Sequence, residues 1–346
     1  MKIFSTLLFV SLFMPCVLRG QAISMQTAGE HMSYFTSKDQ ELSKSYMSYM
    51  SEVAHGNRAR KMEKRREDVI KSLREAIREA GRVRPFKGDA SLRDAYRDYW
   101  TLMLSIFVED YHKIVDMEEI AERSYDAMEA YLLTQEKAGE KADQANEKLR
   151  SSYKAFAAAN NIQLVEGQES KLSKKIAKAG EVNKYMNQIF LISFKSSVQE
   201  VHMMEALNKN DVSGVEQYRN SMSRFAEEGL LKLDSIKPYN GDGSYMNATR
   251  KLLEFQKTEA EKMKSVVDFL LKSEELNKIK AAFEAKPAAR RTQEDVDNFN
   301  KAIAEFNTAV TEFNKVNNEL NNARSRNHQN FETTRKRFMD QHVPRA

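Results

Sequence analysis

Apart from Pro15 and Pro344, the chain contains three prolines, Pro85, Pro238 and Pro287, and two of them open nearly the same heptapeptide. The stretches are PFKGDAS at 85–91 and PYNGDGS at 238–244, an offset of 153 residues. Proline cannot continue a preceding helix, glycine takes positive φ freely, and Asp or Ser can accept the free N–H groups of the helix that follows. Both heptapeptides therefore read as helix-to-helix corners, with Asp89/Ser91 and Asp242/Ser244 as caps and Phe86 and Tyr239 tucked under a bundle end. Few other breakers exist, because 346 residues hold only 12 glycines. Long helices are the fold this composition favours.

The flanks of the two corners match in character as well. Sliding by 153 residues pairs Val69 with Met222, Ile77 with Leu230, Val83 with Ile236, Trp100 with Leu253, Ile114 with Val267 and Met117 with Leu270. We expect an all-α, elongated chain of two tandem, internally duplicated antiparallel bundles of about four helices each. The first occupies 23–160, with helices near 25–55, 58–80, 90–136 and 140–160. A linker follows at 161–170. The second bundle takes 171–346, with helices near 170–208, 211–235, 243–284 and 292–341. Gly139 marks one break, His55-Gly56-Asn57 a turn, Asp211 a cap, and Thr292 with Asp295 a capping-box-like start.

The last helix carries the cleanest period: Val296, Phe299, Ile303, Phe306, Val310 and Phe313 alternate spacings of three and four before Asn317 interrupts. Such a seam packs like a coiled coil, against helices of its own half or against a second chain, so monomer and homodimer both remain open. Trp100–Val108, WTLMLSIFV, is apolar all round and is expected to be the most buried segment, with Ile189–Phe194 similar. Both are too short to span a bilayer. A membrane-active protein that rearranges to insert Trp100–Val108 is a further alternative.

The N-terminus has Lys2, an apolar run from Ile3 to Met14, and small residues at Gly20 and Ala22. This pattern is that of a signal peptide over 1–22, cleaved after Ala22. Lys2 and Arg19 would leave with it, lowering the formal net charge from +5 to +3. So balanced a chain does not point to nucleic acid. Cys16 is the only cysteine, so the exported chain would have no disulfide, which suits a bacterial periplasm, outer-membrane surface or secreted protein. A lipid anchor at Cys16 is the lesser alternative, because Pro15 stands where a small residue is expected.

No HExxH, cysteine pair, phosphate-cradling loop, dinucleotide fingerprint or GxSxG elbow is present, so no catalytic or cofactor-binding residue and no cofactor is assigned. Two Glu-x-x-His pairs, Glu52/His55 and Glu109/His112, are the candidates for a di-metal carboxylate bundle, with Glu63 or Glu67 as a third carboxylate. The run RARKMEKRRE offers Arg58, Arg60, Lys61, Lys64, Arg65 and Arg66 to an anionic surface, or simply forms a solvated face. The expected function is that of a non-enzymatic helical envelope or surface protein, a scaffold or binding module for a protein or an anionic envelope component. The alternative is the metal-binding bundle.

Overall fold

A computed structural model of the chain describes residues 22–55, 59–110, 124–164 and 170–346. They form an all-α architecture of eight helices. α1 spans Ala28–His55, α2 Ala59–Ala80 and α3 Ser91–Ser105, which runs into a π-turn at Ile106–Asp110. α4 spans Tyr125–Ala159, α5 Lys171–Asn208, α6 Val212–Asp234, α7 Ser244–Ala285 and α8 Gln293–His342. Only isolated bridges, and no strands, occur among the described residues. Helix ends sit where capping chemistry puts them. Thr27 and Glu30 cap each other's backbone at the head of α1, Asp211 accepts from Gly214 N–H, and Thr292 with Asp295 closes a full capping box.

The two corners adopt one geometry. Lys87 and Gly88 have φ of 49° and 87°, and Asn240 and Gly241 have φ of 49° and 83°. Two successive positive-φ residues make a type I′ turn, which an L-residue such as Lys87 enters only under constraint. The Asp89 and Asp242 amides each donate to the aromatic residue's carbonyl at 2.9 Å. Their side chains then accept from Ser91 and Ser244 N–H at 2.8 Å, so the aspartates do the capping and the serines are capped. The aromatic rings tuck inward: Phe86 lies 6.2 Å from Phe156, and Tyr239 lies 5.2 Å from Tyr185.

Other features recur at the same offset of 153. α1 ends at His55 and α5 at Asn208, α2 begins at Ala59 and α6 at Val212, and α3 begins at Ser91 and α7 at Ser244. Arg66 chelates Glu63 through Nε and Nη2 at 2.9 and 2.5 Å and donates to Phe107 O at 3.0 Å. Arg219 chelates Glu216 at the same two distances and donates to Ala260 O at 3.4 Å. Each clamp ties the second helix of its half to the third.

The core of the first half gathers Phe35, Tyr96, Trp100, Leu92 and Phe156, with Phe35 and Tyr96 stacked at 5.1 Å. The second half has two cores, one around Ile189, Leu233, Tyr245 and Phe338, the other around Met203, Met222, Met263 and Val316. Met128 and Leu132 of α4 pack on Phe190, Leu191 and Phe194 of α5 and join the halves. The α8 seam lies on α7, with Phe299 stacked on Phe283 at 4.7 Å and Phe313 on Phe269 at 4.3 Å.

Two expectations need correction. α4 runs unbroken through Gly139, because one glycine costs only about 1 kcal/mol in a helix interior and the apolar contacts of a 35-residue helix outweigh it. The break lies instead before Tyr125, where Ser124 caps Ala127 N–H. In Trp100–Val108 only Trp100 and Phe107 are buried; the others are partly or fully exposed. The central segment is in α5, where no residue from Ile189 to Glu200 is exposed. Ile114 and Met117 lie outside the described residues, as does half of the expected linker, 165–169.

Candidate functional site

The described residues among those singled out from the sequence are engaged in separate contacts. Glu52 pairs with Lys61 at 2.8 Å, and Glu63 is held by Arg66. Both ring nitrogens of His55 are engaged, Nδ1 with Asp340 Oδ1 at 2.7 Å and Nε2 with Val343 O at 3.1 Å, so it fastens α1 to the end of α8. The Glu109 side chain and the whole of His112 lie outside the described residues. Among the described residues no three His, Cys, Asp or Glu side chains form a metal-binding group. The basic run divides in the same way. Arg58 is outside the described residues, Lys61, Arg65 and Arg66 are paired with Glu52, Asp68 and Glu63, and Arg60 and Lys64 stay exposed without an ion pair among the described residues.

The structure instead assembles a polar layer that sequence reading missed. It lies in the second half, where α5, α7 and α8 meet. Gln256 and Glu259 stand on the apolar stripe of α7, between Leu252/Leu253 and Ala260/Met263, and both are fully buried. Glu200 holds the matching place on α5. α8 contributes Arg324 and His328, one turn apart. Arg324 Nε lies 2.9 Å from Glu259 Oε1 and 3.2 Å from Glu200 Oε1, and its Nη2 also donates to Glu259. His328 Nε2 lies 3.2 Å from Glu200 Oε1. The Gln256 amide donates to Glu200 at 2.9 Å and to Ser197 at 3.1 Å, while its carbonyl accepts from Ser196 at 2.6 Å. Glu259 Oε2 alone has no partner. Polar residues on an apolar helical stripe were the available signal, because such positions seldom go unpaired in a core.

Electrostatics follow from the count of charges. Two carboxylates face one guanidinium, and the layer is neutral only when it holds one proton more, on Glu259 or His328. Burial, reinforced by the Glu200 charge, pushes the Glu259 carboxyl up to about 7. The hydrogen bond that His328 donates to Glu200 raises the imidazole. Burial opposes the Glu200 charge, yet the bonds from His328 and Gln256 and the charge of Arg324 hold its carboxyl below the ordinary range. Such a layer fixes the register of α8 against α5 and α7, since sliding α8 by one turn would leave buried charges unmatched. Neither of the two clearest surface hollows includes any of its residues; one flanks α2, and the other lies among Tyr125, Lys195, Phe225 and Lys232.

No protein-family model, curated protein or solved structure matches this chain. Its chemistry must be argued from its own residues.

One consequence is measurable. Glu259 and His328 are both raised on folding, so their contribution is complete at low pH and disappears as pH climbs through the folded values. Glu200 is lowered, and its contribution is lost on acidification. From pH 5 to pH 8 the raised Glu259 alone removes about 2–3 kcal/mol of unfolding free energy. Urea titrations across that range should show the decline, and Glu259→Gln, which carries no charge at any pH, should flatten it. Parallel profiles for the two proteins would mean that the layer is hydrated and does not titrate as described.

Proposed function

We propose that the chain is an exported, non-enzymatic helical protein of a cell envelope or surface, built from two copies of one helical unit and acting as a scaffold or binding module. The observation that carries this reading is how the ionisable groups are used. Those drawn together in the interior bind one another and adjoin neither clear hollow, while the ionisable groups that do line the two hollows stand on outer helix faces. Chemistry on a small molecule needs titratable groups converging in a site that encloses it. Recognition by a surface needs rigid elements with unpaired groups, which long helices supply. For the two copies, the support is the recurrence, 153 residues apart, of the type I′ corner and of the Glu-x-x-Arg clamp on the third helix's carbonyl. For export, the support is the sequence pattern over 1–22 and the part played by Ile23. Its amide donates to Arg82 O at 3.0 Å and its carbonyl accepts from Arg84 N–H at 2.9 Å, so a chain starting at Ile23 retains its N-terminal anchorage. No helix among the described residues is long and apolar enough to cross a membrane.

Cell fractionation with mass spectrometry of the N-terminus tests the reading. A chain that begins at Ile23 and is recovered outside the cytoplasm is the expected result. An uncleaved cytoplasmic chain overturns export, and a chain beginning at an acylated Cys16 replaces soluble export with a lipid anchor. Bound iron, manganese or zinc in untagged protein would overturn the non-enzymatic reading.

A further inference from the structure

The charges left unpaired outside are not scattered. Along α2 and into its corner, Arg60, Lys64, Lys71, Arg74, Arg78, Arg82 and Arg84 are exposed, and none makes an ion pair among the described residues. On the helix they recur at spacings of three, four and seven, one face of an α-helix, with Glu67 filling the gap of seven and Glu75 beside the row. From Arg60 to Arg78 the row runs about 27 Å at 1.5 Å per residue. A groove of about 750 Å³ follows it, lined by Lys71, Arg74, Arg78 and the acids Glu67, Asp68 and Glu75.

The fold does not require this row. Residues 59–88 hold eleven cationic and five acidic side chains, whereas the matching 212–241 hold four of each. At the positions of Arg60, Lys64, Lys71, Arg74, Arg78 and Arg82, the second half has Ser213, Gln217, Arg224, Glu227, Leu231 and Ser235. The corner and the Arg clamp are the same in both, so the framework tolerates either surface. The first turn of α2 also has no acid, and a cation there works against the helix dipole. Stability does not explain these charges.

We infer that the outer face of α2 docks a linear acidic polysaccharide, an inference that rests on the binding-module reading and specifies its partner. The length of the row calls for an extended polymer, since a compact anion meets only two or three of its heads. Cationic heads succeed one another about every 4.5–6 Å along the axis where the spacing is three or four residues. That interval suits a polymer with one acidic group per sugar, and is far sparser than the charge of a nucleic-acid duplex, one per ~1.7 Å. A bilayer is disfavoured because interfacial helices place large apolar side chains beside their cations, and none of the exposed large apolar residues lies on α2. Arginine predominates in the row, and its planar fork pairs bidentately with carboxylates.

The test is binding of the purified protein to polygalacturonate, one carboxylate per sugar, with anionic phospholipid vesicles and a DNA duplex as competitors. The expected result is salt-sensitive binding to polygalacturonate that weakens at least tenfold in the triple variant Lys71→Glu, Arg74→Glu, Arg78→Glu and is unchanged in Arg224→Glu on the matching face. The milder Arg74→Gln, Arg78→Gln pair should weaken it in the same direction, which covers the case in which charge reversal disturbs folding. No binding at low salt, an unchanged triple variant, or tighter binding to vesicles or DNA overturns the inference. An exported chain that ignores polygalacturonate defeats the inference alone, while a cytoplasmic chain that binds it defeats only the export reading.

Discussion

Replacing Arg324 with methionine should lower the unfolding free energy by about 3–5 kcal/mol, the range found when one partner of a buried ion pair is removed. Methionine fills much of the same volume, so the loss is electrostatic rather than a cavity effect. Glu259 is fully buried and has no partner for Oε2 even with the guanidinium in place. Without Arg324 it must be protonated at neutral pH, and Glu200 retains only Gln256 and His328. Adding Glu259→Gln should restore much of the loss, because the second carboxylate is what the guanidinium compensates, and the coupling between the two sites should be positive. Urea unfolding followed by circular dichroism measures both variants. A loss under ~1 kcal/mol for Arg324→Met would show that water reaches the layer and that the charges are not a constraint on α8.

Trp100→Ala should cost a similar amount, about 3–5 kcal/mol, in the first half. Trp100 is 1% exposed and lies 6.1 Å from the Phe35 ring and 5.3 Å from the Tyr96 ring. Its indole N–H donates to Asp39 Oδ1 at 2.9 Å. Burial raises the Asp39 carboxyl, and that bond offsets part of the rise. Alanine opens a cavity and orphans the carboxylate together. Trp100→Phe separates the two, keeping most of the packing and losing the N–H, and should cost about 1–3 kcal/mol. If alanine and phenylalanine proved equally mild, the aromatic cluster would not be the core of this half.

These two sites differ in how far the sequence announced them. Trp100 stands in a conspicuously apolar run, and burial of its side chain was expected. The same run misled on its neighbours: Leu102, Met103 and Leu104 are only partly buried, because α3 turns a single face, that of Leu92, Tyr96 and Trp100, into the core. Glu200, Glu259, Arg324 and His328 left almost no trace, since Glu, Arg and His are the ordinary residues of a solvated helix face. Only the position of Gln256 and Glu259 on an apolar stripe set them apart. The basic run was visible at once, yet pairing with Glu52, Asp68 and Glu63 removes Lys61, Arg65 and Arg66 from it, and the unpaired row extends instead toward Arg82 and Arg84.

By itself the amino-acid sequence determined that the chain is helical and where many of its helices begin and end. Such boundaries are local: Pro85 and Pro238 stop a helix, Gly88 and Gly241 accept positive φ, and Asp211 and Thr292 meet the free amides of the turn beside them. The tertiary structure alone decided which helix is central and which charges are left over. Arg66 reaches a carbonyl 41 residues away, and Arg324 a carboxylate 65 residues away. Partners at that distance are brought together by the packing of apolar faces, and periodicity along one helix holds no record of what the facing helix will present.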